Sequence, residues 1–364
     1  MSRSKYSARN EFRSDTFTTP SRAMLEAALD ASVGDAVYDE DDDTNELQER
    51  IAQLTGKERG LFCVSGTLAN QIGVRTHLKE PPYSILCDHR AHIYVHEAAG
   101  LAMLSNAMVV PVKPSNGIYL TLEDIQEHFI VDDEDIHSAP TKLIALENTV
   151  HGVVHPYEEL VRISQWCKEN KIPLHCDGAR LWNASVASGV TFKQYGEIFD
   201  SISICLSKSI GAPIGSVLVG SKQFIKKANH YKKQCGGGIR QSGPMARMAM
   251  VAIDENLGKL EETHRKAKEL ADHLVANGIA LNEPPDTNFV FIDVKKSPID
   301  NDLLMEIAEK HNVNVWAGRI AFHYQVDDEA LQSIKTAIVE AFEQTKALDK
   351  KNVVTKIYNT TSAE

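Results

Sequence analysis

A chain of 364 residues, 43% hydrophobic and 24% charged, has the balance of an ordinary soluble globular protein and is long enough for two domains. A formal charge of −11 argues against nucleic acid or an anionic membrane as partner, and no apolar run approaches the ~20 residues that cross a bilayer. The start, MSRSKYSARN, lacks the apolar stretch of a secretory signal, although its basic, serine-containing character is compatible with a short mitochondrial presequence.

In chain order, a polar arm over residues 1–20 precedes a short helix predicted from Ser21 to Leu29. The glycine- and acid-rich VGDAVYDEDDD follows, then a second helix from about Thr44 to Leu54, stopped by Gly56. Asp43 and Glu46 have capping-box spacing at its start. From Leu61 onward, short apolar runs alternate with helical stretches: RGLFCV, YSILCD, AMVVPV, KLIALEN, KIPLHCD, SISICLS and GSVLVG. Runs this short joined by long crossovers predict an α/β domain with a largely parallel sheet over residues 21–255. One long helix is expected from Pro244 to Asn277. A smaller unit over 256–347 then carries TNFVFIDV, a helix near Asn301–His311, VNVWAG, IAFHY and a last helix through Ala347. A polar tail over 348–364 ends the chain. The six cysteines (Cys63, Cys87, Cys167, Cys176, Cys205, Cys235) are scattered, several in strand-like surroundings, and read as small hydrophobes of a reduced, cytoplasmic protein.

Ligands of open α/β sheets collect at the carboxyl ends of the strands. KIPLHC ends in Asp177-Gly178-Ala179-Arg180, and SISICLS ends in Lys208, one crossover further on. An acid, an arginine and a lysine therefore converge at one sheet edge. A third feature, Ser65-Gly66-Thr67-Leu68-Ala69-Asn70, runs from a strand through small residues into a helix start, where unpaired amides and the helix dipole can cradle a phosphate. Taken singly, the lysine reads as a solvated loop residue and the cradle as an ordinary helix cap. Together, a phosphate anchor, a carboxylate for a protonated pyridine and a lysine for a Schiff base are the requirements of pyridoxal 5'-phosphate (PLP).

The sequence resembles the low-specificity L-threonine aldolases, PLP enzymes of the aspartate-aminotransferase fold, and fungal members in particular. The motifs are FRSDT (Phe12–Thr16), VGDAVY (Val33–Tyr38), VSGTLAN (Val64–Asn70), RAHIYVHEAAG (Arg90–Gly100) and LEN (Leu146–Asn148). HCDGARLWNA (His175–Ala184), CLSKSIGAPIGSVLVG (Cys205–Gly220) and GGGIRQSG (Gly236–Gly243) complete the set. The resemblance implies a large domain with a mostly parallel seven-stranded sheet, a small C-terminal α+β domain, and cleavage of β-hydroxy amino acids to glycine and an aldehyde. It implies that Lys208 carries PLP as a Schiff base, Asp177 pairs with the pyridine nitrogen, Gly66 and Thr67 hold the phosphate and His92 stacks on the ring. Arg180, Arg319 and Ser14 would hold the substrate carboxylate. Arg240 would approach the phosphate, from a neighbouring subunit of a homotetramer or dimer.

Many bacterial relatives have a histidine immediately after Glu-Asn-Thr. Here that position is Val150, with His151 next, so His92, His151 or a water is left to do the proton work. Without the resemblance, Arg319 reads as a surface arginine on an edge strand, Ser14 as a turn residue, and Glu97 as a helix cap or a partner that orients His92. Two other readings stand beside the aldolase. One is an amino-acid racemase of the same family. The other is a zinc hydrolase built on His89, His92 and His96, whose spacings can align imidazoles on one helical face.

Overall fold

A computed structural model describes residues 6–348, 352 and 353. The chain divides into two compact units, Pro20–Leu257 and a second made of the residues up to Thr19 with those from Gly258 onward.

All seven apolar runs of the first unit are strands: β1 (Arg59–Cys63), β2 (Ser84–Asp88), β3 (Met108–Val112), β4 (Thr141–Glu147), β5 (Leu174–Gly178), β6 (Ser201–Cys205) and β7 (Ser216–Gly220). They form one sheet in the order β1-β7-β6-β5-β4-β2-β3, parallel except where β7 runs against both β1 and β6. Every residue of β2, β5, β6 and β7 is buried. Such strands are covered on both faces, which explains their near-continuous apolar sequences. The registers place Glu147 beside Asp177, and Asp177 beside Ser203, so three strand ends finish level.

Helix boundaries correct the sequence reading in two places. The second helix begins earlier, at Asp42, and its cap is Asp41, which accepts from the Thr44 amide at 2.9 Å. Asp43 is taken up elsewhere: its carboxylate accepts from the Ser32 amide at 2.6 Å. The long helix expected over 244–277 is two, Gly243–Asn256 and Leu260–Ala276, separated by a 3-10 turn at Leu257–Lys259. Gly258, the poorest helix former after proline, lies in that turn, where the two units divide.

In the second unit, β8 (Phe289–Phe291) and β9 (Arg319–Ala321) pair antiparallel, with helices at Asn301–Lys310 and Asp328–Thr345. VNVWAG supplies only an isolated bridge, Asn314 to Glu11, rather than a strand. The segment read as an arm is built into this unit. The Phe12 amide donates to Asn314 O at 2.8 Å, the Ala321 amide donates to Phe12 O at 2.8 Å, and the Phe12 ring packs edge-on against Phe322 at 5.3 Å. Phe12 is fully buried, and an aromatic ring of that size contributes about 2–3 kcal/mol by its burial. The expected tail lies outside the described residues apart from Leu348, Asn352 and Val353. Five cysteines are buried and Cys235 is exposed, all as free thiols.

Candidate active site

The carboxyl ends of β4, β5 and β6 and the start of the helix Gly66–His77 bring together five titratable residues, His92, Glu97, Glu147, Asp177 and Lys208. Asp177 is buried at the end of β5, and Gly178 follows because nothing larger fits: an added Cβ would lie 2.8 Å from Ser203 O on β6. The turn is closed by the Ala179 amide, which donates to Asp177 Oδ1 at 3.0 Å. Asn70 Nδ2 donates to Asp177 Oδ2 at 2.8 Å and to Glu97 Oε1 at 3.0 Å. Glu97, with a fully buried side chain, also accepts from Gln71 Nε2 at 2.6 Å and pairs with His92 Nδ1 at 2.9 Å. The backbone of His92 is fixed in turn by Glu147, whose Oε2 accepts its amide at 2.8 Å.

Three carboxylates in one enclosed place need positive charge. Burial and the Asp177 charge push Glu147 well above the usual carboxylate range. Burial pulls the His92 imidazolium down, but the Glu97 hydrogen bond and Asp177 outweigh it, and the net change is upward. The Lys208 ammonium, half-buried beyond β6, acts on both: it lowers the affinity of His92 and of Glu147 for a proton. Lys208, His92 and Asp177, picked from the sequence, therefore share one electrostatic environment with Glu97 and Glu147.

Gly66 and Thr67 open their helix after Ser65, whose Oγ accepts from the Leu68 amide at 3.1 Å. The two amides ahead of Leu68 have no carbonyl one turn back to bond. Beside them, Ser216 pairs with the ends of both β1 and β6, and its buried Oγ has no hydrogen-bond partner, 3.5 Å from where a Gly66 Cβ would stand. Unmatched donors at a helix start, a buried carboxylate and an amine suit a group carrying a phosphate, a basic ring nitrogen and an aldehyde. The residues present fit PLP.

Arg180 is buried at the position that precedes the helix Leu181–Ser188, which Trp182 ties to β6 by donating to Cys205 O at 2.9 Å. His151 is half-buried on the turn after β4, in the left-handed region at φ 51°. Arg240 is half-exposed, pairs with Asp35 at 2.9 Å and stands over the Tyr38 ring at 5.7 Å. In the second unit, Arg319 is buried rather than on the surface. It donates to Arg13 O at 3.0 Å and lies over the Phe289 ring at 5.2 Å. Ser14 is buried, and its Oγ accepts from Thr16 Oγ1 at 3.0 Å.

The zinc reading is not supported by this geometry. Among the described residues, the His, Cys, Asp and Glu ligand atoms within 4.8 Å of one another belong to His92, Glu97 and Asp177. His92 alone of the three histidines is in that set, while His89 pairs with Asp88 at 3.2 Å.

Residues 11–297 match the family described as beta-eliminating lyase. The chain is 62% identical, over 98% of its length and 94% of the relative's, to a protein of Eremothecium gossypii called low-specificity L-threonine aldolase. It belongs to the beta-eliminating lyases, among the low-specificity L-threonine aldolases. This family's fold recurs in a threonine aldolase of Leishmania major, with a TM-score of 0.74 at 21% identity, covering 91% of this chain and 98% of that one. A Thermus thermophilus aspartate aminotransferase gives 0.66 at 16% identity, over 88% of each chain. The family's PLP-dependent aminotransferase fold is thus the fold of this chain.

Sequence reasoning passed over Asn70, Gln71 and Glu147, although Asn70 and Glu147 stand inside quoted motifs. The available signal was position. Glu147 ends its strand as Asp177 ends the neighbouring one, and Asn70 and Gln71 lie one turn into the phosphate-cradle helix.

Proposed function

We propose that this chain is a PLP-dependent aldolase that cleaves L-threonine, L-allo-threonine and related β-hydroxy amino acids to glycine and an aldehyde, acetaldehyde from threonine. What carries the reading is the meeting of Asp177, His92, Glu147 and Lys208 at one sheet edge, in a chain so similar to a protein called a threonine aldolase. The same reading makes it a cytoplasmic homotetramer serving glycine formation and threonine degradation. Among the described residues no helix is long and apolar enough to cross a membrane.

Lys208 would hold PLP as a Schiff base, Asp177 its pyridine nitrogen, Gly66 and Thr67 its phosphate, and His92 one face of its ring. Arg240 is assigned to the phosphate of a neighbouring subunit. When bound, PLP supplies an electron sink for the pair left at Cα as the Cα–Cβ bond breaks. The remaining work falls to side chains. Arg180 would grip the substrate carboxylate through two parallel hydrogen bonds and so set which Cα bond is aligned for cleavage. Ser14 and Arg319 keep the carboxylate-binding role implied by the resemblance. With its Nδ1 held by Glu97, His92 has Nε2 left to take the β-hydroxyl proton, and the raised proton affinity makes it a stronger base. His151 is the second candidate for that proton.

Purified protein with PLP, given L-threonine, L-allo-threonine and L-alanine in parallel, should yield glycine and acetaldehyde from the first two. D-alanine without glycine would replace the aldolase by a racemase. Borohydride reduction should leave the pyridoxyl group on Lys208, and its recovery on another lysine would overturn that assignment.

Arg180→Lys keeps the charge but loses the planar two-point grip, so kcat should fall at least ~10-fold, about 1.4 kcal/mol of barrier. Arg319→Lys should act mainly on KM. A substrate analogue lacking the carboxylate should be indifferent to both changes. Equal losses on that analogue would mean that these arginines serve the fold or the cofactor.

A further inference from the structure

A hydrogen-bond chain crosses the interior of the first unit behind the proposed site. His77 Nε2 lies 2.7 Å from Ser201 Oγ, and that hydroxyl lies 2.8 Å from His175 Nδ1. His175 Nε2 lies 3.4 Å from Asn70 Oδ1, a long contact at the weak end of hydrogen bonding. Asn70 Nδ2 then reaches Asp177 and Glu97. His77 stands at the wall of a surface cleft, whereas His175 and Asn70 are buried.

The proton order along this chain follows from its end. Carboxylates only accept, so both Nδ2 hydrogens of Asn70 are committed to Asp177 and Glu97, and Oδ1 must face the other way as an acceptor. The group facing it is His175 Nε2, which must therefore carry the hydrogen. A neutral imidazole with Nε2–H has an accepting Nδ1, so Ser201 must donate to it. The Ser201 oxygen is then left to accept from His77 Nε2–H. Burial supports neutral rings, holding His175 down at about 4 and His77 at about 3. The sequence provides for the close approach: Gly73 faces His175 from the helix Gly66–His77, and a Cβ there would lie 3.0 Å from the ring.

We propose that His175 is a positioning residue. As the Nε2–H tautomer it fixes the Asn70 amide, which presents one N–H to Asp177 and the other to Glu97. Without that donor, the carboxylates still draw Nδ2 toward them, but the buried Oδ1 is left unsatisfied and the amide loses the third contact that fixes its position and plane. His175 thus acts on the proposed cofactor partner Asp177 and on the Glu97–His92 pair without touching substrate. That Asp177 serves a bound cofactor rests on the function proposed above, but the proton order does not.

The test has two arms. Protein labelled with ¹⁵N at histidine, with and without PLP, should show His175 and His77 as neutral Nε2–H tautomers in long-range ¹H–¹⁵N spectra. An Nδ1–H tautomer at His175 overturns the proposal. In the second arm, PLP dissociation constants are compared for His175→Gln, whose amide can donate near the Nε2 position, and His175→Leu, which cannot. Leaving the buried Asn70 acceptor without its donor should raise the constant about tenfold or more in the leucine variant. The glutamine variant should stay within about threefold of the unaltered protein. If both variants fold and glutamine loses as much as leucine, the donor is not what matters and the proposal fails. Should the leucine variant not fold, the tautomer measurement decides alone. Failure of the unaltered protein to bind PLP would instead overturn the functional reading, with the tautomers still telling whether the chain is ordered as derived.

Discussion

Asp177→Asn is expected to lower L-threonine turnover by about 10²–10⁴-fold, the range for losing a group that manages a catalytic proton, while PLP remains on Lys208. Asp177 accepts at both oxygens, from Ala179 N on one side and Asn70 Nδ2 on the other. An asparagine keeps the shape but puts an NH₂ against one of those two donors, so one buried hydrogen bond is lost. More important, it removes the negative charge that would keep the pyridine nitrogen protonated. The charge also acts on its neighbours: Asp177 helps to raise Glu147 and His92. Both should therefore shift downward in the variant, visible as a displaced pH profile of whatever activity remains. Steady-state kinetics with a thermal melt as folding control provide the measurement. Near-normal turnover in a well-folded Asp177→Asn protein would mean that something else governs the ring nitrogen.

Acid should unfold the first unit earlier than carboxylates alone would cause. Burial holds His155 and His175 at about 4 and His77 at about 3, all below the ordinary histidine value of about 6.5. A histidine depressed in the fold is kept neutral there, while the unfolded chain takes up its proton as pH falls below 6.5. The stability is therefore complete above about 6.5 and is lost as pH falls towards 4. Each such histidine costs about 1.4 kcal/mol per pH unit in that window, three together about 4 kcal/mol per unit, and Glu147, raised in the fold and so protonated there before it is in the unfolded chain, offsets about one of them. His92 has the opposite sign. Raised in the fold, it adds stability that is fully present below about 6.5 and lost as pH climbs through its folded value, so it does not offset the acid loss. Melting temperatures between pH 7 and pH 5 would measure the slope. A flat profile would show that these rings accept protons without unfolding.

How much of the site could be seen in the sequence depends on how local each feature is. Asp177 and Lys208 were legible because each directly ends an apolar run, and strand ends of an α/β sheet are where ligands bind. The Gly66–Thr67 helix start was legible because its cap, Ser65, lies three residues from the amide it binds. The division of the helix after Asn256 was not, since the apolar pattern continues across Gly258. Glu97 had a sequence-level reading as a partner of His92, five residues away, and that contact is present. Its bond to Asn70 had none, because that partner is 27 residues distant.

By itself, then, the sequence determined the seven strands and the identity of the residues at their ends. Strand patterns are written in runs of five to seven side chains. Only the tertiary structure decided that β7 runs antiparallel between β1 and β6, which sets the orphan Ser216 hydroxyl beside the Gly66 helix. It also decided that Asn70 meets Asp177 across 107 residues and that His77 meets Ser201 across 124. Hydrogen bonds of that span depend on strand order and register, which no local pattern encodes, and the proton order behind the site exists only once those strands are side by side.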